Sequence, residues 1–129
     1  MDREQIYTDM KKTIGLVPSM FKSFPDDILE LEWNLFKKTE LSEGPIPGKY
    51  RELIGLAISA AQKCQYCTFF HVENARLFGA TEEEIENALS YAKMTTGWST
   101  YLNGMQLNTE QFKSEVKEIG RYLKEHKGK

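Results

Sequence analysis

Apolar residues recur at three- and four-residue intervals along almost the whole chain, and no segment alternates apolar with polar positions as a half-buried strand would. The pattern predicts an all-α protein. Arg3 to Ile14 reads as a first helix, broken by Gly15 and Pro18 before a short helical turn over Ser19 to Phe24. Pro25, Asp26 and Asp27 open a longer helix in which Ile28, Leu31, Leu35 and Phe36 repeat at helical spacing with Trp33 beside them. Ser42 to Gly48 is the one clear loop. Over Lys49 to Lys63 the residues Tyr50, Leu53, Ile54, Ala57, Ile58 and Ala61 define an apolar face. Gly55, Ser59 and Ala60 keep the neighbouring surface small enough for close approach. The next helix is expected over Cys67 to Phe78, stopping at Gly79. Thr81 with Glu84 then fits a capping box for a helix with Ile85, Ala88, Leu89 and Ala92 at core spacing, ended by Gly97. Trp98 to Leu107 is aromatic and helical in pattern. Glu110 to Lys124 is the last helix, with Phe112, Val116, Ile119 and Leu123 on one face. No repeat or low-complexity tract interrupts this order, so one domain over residues 1–129 is expected, long enough to bury a core without disulfides.

Charge narrows the function classes. Seventeen basic against nineteen acidic side chains leave a net charge of −2, which gives no electrostatic footprint for nucleic acid and none for a membrane surface. Lys113, Lys117, Lys124, Lys127 and Lys129 are interleaved with Glu115, Glu118 and Glu125, the pattern of a solvated helix face. The first ten residues show no signal segment, and the longest apolar run, Leu53 to Ala61, is too short to span a bilayer, so a cytoplasmic location is expected. Trp33, Trp98, Tyr101 and the methionines read as core or subunit interface. No glycine-rich phosphate loop follows a strand, and no cofactor is expected.

Two cysteines three residues apart, with no others, read as catalytic or metal-binding in a reduced compartment. Cys64 and Cys67 are three apart and Cys67 and His71 four apart, so a helix beginning near Cys64 projects two thiols and a base from one face. The N–H groups and partial positive charge of that helix start favour thiolate over thiol. Glu52 lies twelve residues before Cys64, roughly 18 Å along a continuous helix. A reversal near Gln62 and Lys63 makes the two helices an antiparallel hairpin and brings Glu52 level with His71. The expected relay has Glu52 holding the imidazole, His71 moving the proton of Cys67, and Cys64 resolving the oxidised Cys67, with the roles of the two thiols open to exchange.

Glu52, the eleven-residue gap and the run C-Q-Y-C-T-F-F-H together resemble the alkyl hydroperoxidase D-like, carboxymuconolactone decarboxylase superfamily. The IGLVPSMFKSFP start, the loop before KYRELIGLAISAA and the helix after FGAT extend the likeness over roughly Thr13 to Leu107. The resemblance implies a helical subunit that assembles into a homotrimer or homohexamer and reduces a hydroperoxide or a disulfide at the CxxC, with electrons from an external thiol reductant. Carried over by position, Glu52, Cys64, Cys67 and His71 match the family's relay and thiol residues. The peroxidase branch has a histidine between the cysteines where this chain has Tyr66, and a phenol does not change charge near neutral pH. Tyr66 is expected instead as an aromatic wall against the substrate.

Blander readings compete. Cys64 and Cys67 could be small core residues, His71 a core histidine satisfied by a carbonyl, and Glu52 an exposed first-turn carboxylate favoured by its own helix dipole. Structural zinc asks for four ligands, and only Cys64, Cys67, His71 and the tail residue His126 are on offer, so no metal is expected within one subunit. The alternative functions are a decarboxylase-type lyase with spectator cysteines, and a non-enzymatic oligomeric or metal-binding module.

Overall fold

The computed structural model describes residues 1–127, so Lys129 of the lysine series lies outside the described residues. Those residues form α-helices joined by short turns, with no strand among them. Their contacts group into two compact units, residues 1–52 and residues from Leu53 onward.

In the first unit, α1 (Arg3–Ile14) starts where a capping box is complete. The Asp2 side chain accepts from the Gln5 N–H at 2.9 Å, and the Gln5 side chain accepts from the Asp2 N–H at 2.9 Å. Gly15 ends it in the left-handed region, φ +88°. The short α2 (Ser19–Lys22) and then α3 (Asp26–Phe36) follow, and α3 runs on into a π-helical turn over Lys37–Leu41. Ile6, Met10, Phe21, Leu29 and Trp33 make the core. The Phe21 ring stands nearly at right angles to both Trp33 and Phe36, with centroids 5.5 and 5.4 Å away. The buried face of α3 is therefore Leu29 and Trp33 with Phe36 beside them, whereas Leu31 and Leu35, expected at core spacing, are exposed. The polar edge of the tryptophan is satisfied, since its Nε1–H donates to Asp9 Oδ2 at 2.7 Å and Lys37 Nζ reaches the same oxygen at 2.8 Å.

Helix α4 (Gly48–Ala61) begins in the first unit and continues into the second, which also holds α5 (Gln65–Leu77), α6 (Glu82–Gly104) and α7 (Thr109–Glu125). Leu56, Ala75, Ala80 and Ile85 form the second core, lined by Leu53, Val72 and Leu89. Both α4 and α5 end in the same hydrogen-bonded reversal. At the end of α5 the Gly79 N–H donates to the Arg76 carbonyl and the Ala80 N–H to the Ala75 carbonyl, with Gly79 at φ +91°. At the end of α4 the pattern repeats, Lys63 to Ala60 and Cys64 to Ser59, but the left-handed position is taken by Lys63 at φ +59°. The capping box at Thr81 and Glu84 is present.

Two expectations are corrected. Gly97 does not end a helix, because α6 passes through it to Gly104, and a Cβ at this position would meet open space. The buried positions of α4 are Gly48, Glu52, Leu56 and Ser59, while Tyr50, Ile54 and Ile58 of the expected face are exposed. From Lys93 onward every described residue except Leu102 is exposed, Trp98 and Tyr101 included.

The Asp9 carboxyl is held below the usual aspartate range by the hydrogen bond from Lys37 and then that from Trp33. Such a group binds fewer protons folded than unfolded, so its stabilisation is present above the ordinary pKa of about 3.9 and is lost as pH falls through the lower folded value. Melting temperature should accordingly fall more steeply on acidification below about pH 4 in the native chain than in Asp9→Asn. Parallel acid limbs would show that Asp9 carries no such linkage.

Candidate functional site

Cys64 closes one helix and opens the next. Its N–H donates to the Ser59 carbonyl at 3.0 Å, completing the end of α4, and its carbonyl accepts from the Thr68 N–H at 3.0 Å in the first turn of α5. As the N-cap of α5 it places Sγ where a serine or aspartate oxygen usually sits, accepting from the Cys67 N–H at 3.3 Å. The two Sγ atoms are 2.8 Å apart. As a thiolate, Cys64 Sγ can only accept, so in that state the Cys67 thiol donates across this contact. The Cys67 thiol, and after it the backbone N–H groups of Cys67 and Tyr66, hold the Cys64 pKa below the ordinary thiol value. The same contact, with desolvation, pushes Cys67 up. Both thiols are free; Cys64 is half-buried and Cys67 exposed.

His71 stands one turn beyond Cys67 on α5, half-buried, its ring edge-on to Phe70 with centroids 5.2 Å apart. What seats it is Gly55. A Cβ at position 55 would lie 2.5 Å from the His71 Cε1 and 2.7 Å from both ring nitrogens, so the imidazole rests directly on the α4 backbone. This contact joins the two arms of an antiparallel α4–α5 hairpin, as the reversal near Gln62 and Lys63 leads one to expect. The sequence signal for Gly55 was its place among small residues on an otherwise apolar helix; nothing there told which side chain would use the space.

Glu52 is fully buried, which removes the reading of it as an exposed first-turn carboxylate. It is the last residue of the first unit and lies one turn before Gly55 on α4. Arg51 Nε donates to Glu52 Oε1 at 3.2 Å, while the other Arg51 nitrogens donate to the carbonyls of Ser42 and Glu40 at 3.0 and 2.8 Å. An open groove of about 550 Å³ runs beside Cys64, walled by Ala60, Phe69 and Val72 and edged by Lys63, Glu73 and Arg76. Arg76 is tied back by Glu82, Nε to Oε1 2.7 Å. Tyr66 is 80% exposed and is not among the residues lining this groove. His126 caps α7, its ring stacked on Tyr122.

The sequence profile of the carboxymuconolactone decarboxylase family matches residues 24–110. The chain belongs to the carboxymuconolactone decarboxylase family. Its fold is similar to that of the alkylhydroperoxidase AhpD core from Rhodospirillum rubrum, with a TM-score of 0.73 and 24% identity over 84% of each chain. No curated protein matches the sequence. The family match takes in the whole α4–α5 hairpin and ends at the second residue of α7. Among the described residues of this family member, no helix is long and apolar enough to cross a membrane.

Two outcomes follow from the geometry. Cys67→Ala removes the thiol that donates to Cys64, so alkylation of Cys64 near neutral pH should slow several-fold as its thiolate fraction falls; an unchanged rate would mean that the helix start alone sets its pKa. Gly55→Ala should displace the imidazole, moving the His71 ring signals in the NMR spectrum and destabilising the fold by about 1–3 kcal/mol, as overpacking does. Unmoved ring signals would contradict the seat.

Proposed function

We propose that this protein is a dithiol–disulfide oxidoreductase of the alkylhydroperoxidase-like type, cycling Cys64 and Cys67. The observation that carries the reading is the Cys64 sulfur at the start of α5, accepting from the Cys67 N–H and the Cys67 thiol beside an open apolar groove. A lowered pKa puts more of this sulfur in the nucleophilic form near neutral pH. This favours the exchanged assignment of the thiols, with Cys64 attacking and Cys67 resolving.

In the first step the Cys64 thiolate attacks one sulfur of a substrate disulfide, forming a mixed disulfide and expelling the other half as a thiolate. Cys67 then loses its proton to His71 and attacks Cys64, so that the Cys64–Cys67 disulfide forms and the second substrate thiolate leaves. Two electrons have passed from the protein to the substrate, and an external dithiol returns them. Glu52, on the same helix as Gly55, the seat of the imidazole, is assigned to holding the ring in orientation. Phe69 and Val72 form the apolar wall that the substrate meets; Tyr66 stands outside this groove and contributes at its approach.

A hydroperoxide is the second electron acceptor to test, favoured by the fold shared with the AhpD core. There the attacking thiolate becomes a sulfenic acid as the alcohol leaves, and the second thiol closes the disulfide with release of water. Tyr66, in the place of a histidine, makes this the slower of the two reactions.

The test is to treat the reduced protein with an aromatic disulfide or with an organic hydroperoxide and to locate the products by peptide mass. Cys67→Ser should trap a mixed disulfide on Cys64, and Cys64→Ser should lose at least about 100-fold in rate with the disulfide, the scale on which a nucleophile's removal is felt. Trapping on Cys67 would reverse the roles. Thiols that remain free with both oxidants would overturn redox function in favour of a lyase or a scaffold.

A further inference from the structure

Three charged residues line the groove beside Cys64, and they are placed unevenly. Lys63 directly precedes the cysteine, whereas Glu73 and Arg76 lie further along α5, roughly 13 to 18 Å from its start at the helical rise. The distant charges already answer one another. Arg76 donates to Glu82 twice, Nε to Oε1 at 2.7 Å and Nη2 to Oε2 at 3.2 Å, and its Nη1 donates to Glu73 Oε1 at 3.3 Å. Two carboxylates around one guanidinium leave that end of the groove acidic. Lys63 is exposed, and no ion pair among the described residues engages its ammonium. The groove is thus polarised, positive beside the sulfur and negative away from it.

The backbone fixes where the positive end stands. The Lys63 N–H donates to the Ala60 carbonyl at 3.1 Å and the Cys64 N–H to the Ser59 carbonyl at 3.0 Å, so the peptide units on both sides of the lysine Cα are held. Lys63 takes φ +59°, the position that Gly79 fills at φ +91° in the matching reversal after α5. A β-carbon makes this conformation costly, and glycine avoids the cost. Gln106 bears the same cost at φ +54° after α6, so a left-handed residue is not by itself the mark of a site. What distinguishes Lys63 is its charge, one residue from the sulfur at the start of α5 and on the edge of an apolar groove.

We infer that Lys63 selects the substrate: the disulfide attacked by Cys64 carries a carboxylate, which the Lys63 ammonium holds beside the reacting sulfur, while its apolar body lies on Phe69 and Val72. This rests on the dithiol–disulfide reading above and adds no step to it, since Cys64 still bonds one substrate sulfur and the other leaves as a thiolate. A substrate turned end for end would set its carboxylate against Glu73, so the polarity of the groove fixes orientation as well as charge. The volume of about 550 Å³ lies in the range of small-molecule sites.

The first arm of the test needs no redox chemistry. Iodoacetate and iodoacetamide alkylate the same thiolate and differ by one negative charge, so the ratio of their rates at Cys64, located by peptide mass, responds to local charge and not to the thiol pKa. A unit charge within a lysine's reach of the sulfur is felt about three- to tenfold at low salt, so Lys63→Gln should lower the iodoacetate-to-iodoacetamide ratio by that factor. Lys63→Glu should lower it further, and Lys63→Arg should keep it. Lys63→Gly, which suits the left-handed backbone, should lower it as Lys63→Gln does, separating the lost charge from any loss of fold. In the native chain the ratio should fall towards the Lys63→Gln value at about 1 M salt, where the Debye length is about 3 Å. The second arm compares dithiobis-nitrobenzoate, an aromatic disulfide with a carboxylate on each ring, with neutral dithiodipyridine, and their rate ratio should move in the same direction. An alkylation ratio that ignores both salt and Lys63, with both disulfides reduced, would overturn the inference and leave the dithiol–disulfide reading standing. A ratio that moves while neither disulfide oxidises the cysteines would overturn that reading and leave Lys63 as an anion-selecting residue at Cys64.

Discussion

The arrangement turns on Cys64, because one peptide unit has to finish α4 and start α5 without a linker between them. Its N–H is consumed by the Ser59 carbonyl, its C=O by the Thr68 N–H, and its sulfur by the N–H of Cys67, the third residue of the new helix. With every polar group of the residue engaged, the sulfur has little freedom to leave the helix start, and Cys67, one turn on, is held beside it. The same reversal returns α5 along α4 and lays His71 on Gly55. The thiol pair, the base and the hairpin are thus one construction, made from a left-handed Lys63 and a cap that happens to be sulfur.

Burial is uneven along the chain in a way that sorts the residues by task. The first unit has an aromatic core around Trp33, with the indole N–H answered by Asp9. The second has a thin aliphatic core in which small side chains, Ala75 and Ala80, let α5 and α6 approach. Beyond Ala92 that core has run out, and large apolar side chains continue at helical spacing with nothing beneath them.

Helix ends were the most legible part of the sequence, since caps are local. Asp2, Gly15, Gly79, and Thr81 with Glu84 sit where their backbone chemistry demands. The placing of the cysteines at a helix start was legible for a similar reason: Cys64 caps α5, with Cys67 in its first turn and His71 one turn on. What periodicity does not carry is which apolar face meets the core. In α4, Tyr50, Ile54 and Ile58 repeat as regularly as any core set, yet the buried positions are Gly48, Glu52, Leu56 and Ser59. Leu31 and Leu35 misled in the same way, and Gly97 read as a stop because a glycine inside a helix and a glycine at a helix end look alike in one sequence. The left-handed Lys63 and the groove wall at Phe69 had no local signal, as both depend on how the two arms of the hairpin meet.

In the proposed dithiol–disulfide cycle, a sulfur used as a helix cap would tie the chain's secondary structure to its oxidation state. The thiolate of Cys64 is a full-strength acceptor for the start of α5, whereas a sulfur bonded in a disulfide carries no charge and accepts weakly. Oxidation in that cycle would take from α5 the group that anchors its first turn, and reduction would give it back. Whatever stabilises the dithiol over the disulfide makes the disulfide the stronger oxidant. The electron affinity of this pair is then adjustable without touching either cysteine, through any residue that tightens or loosens the first turn of the helix.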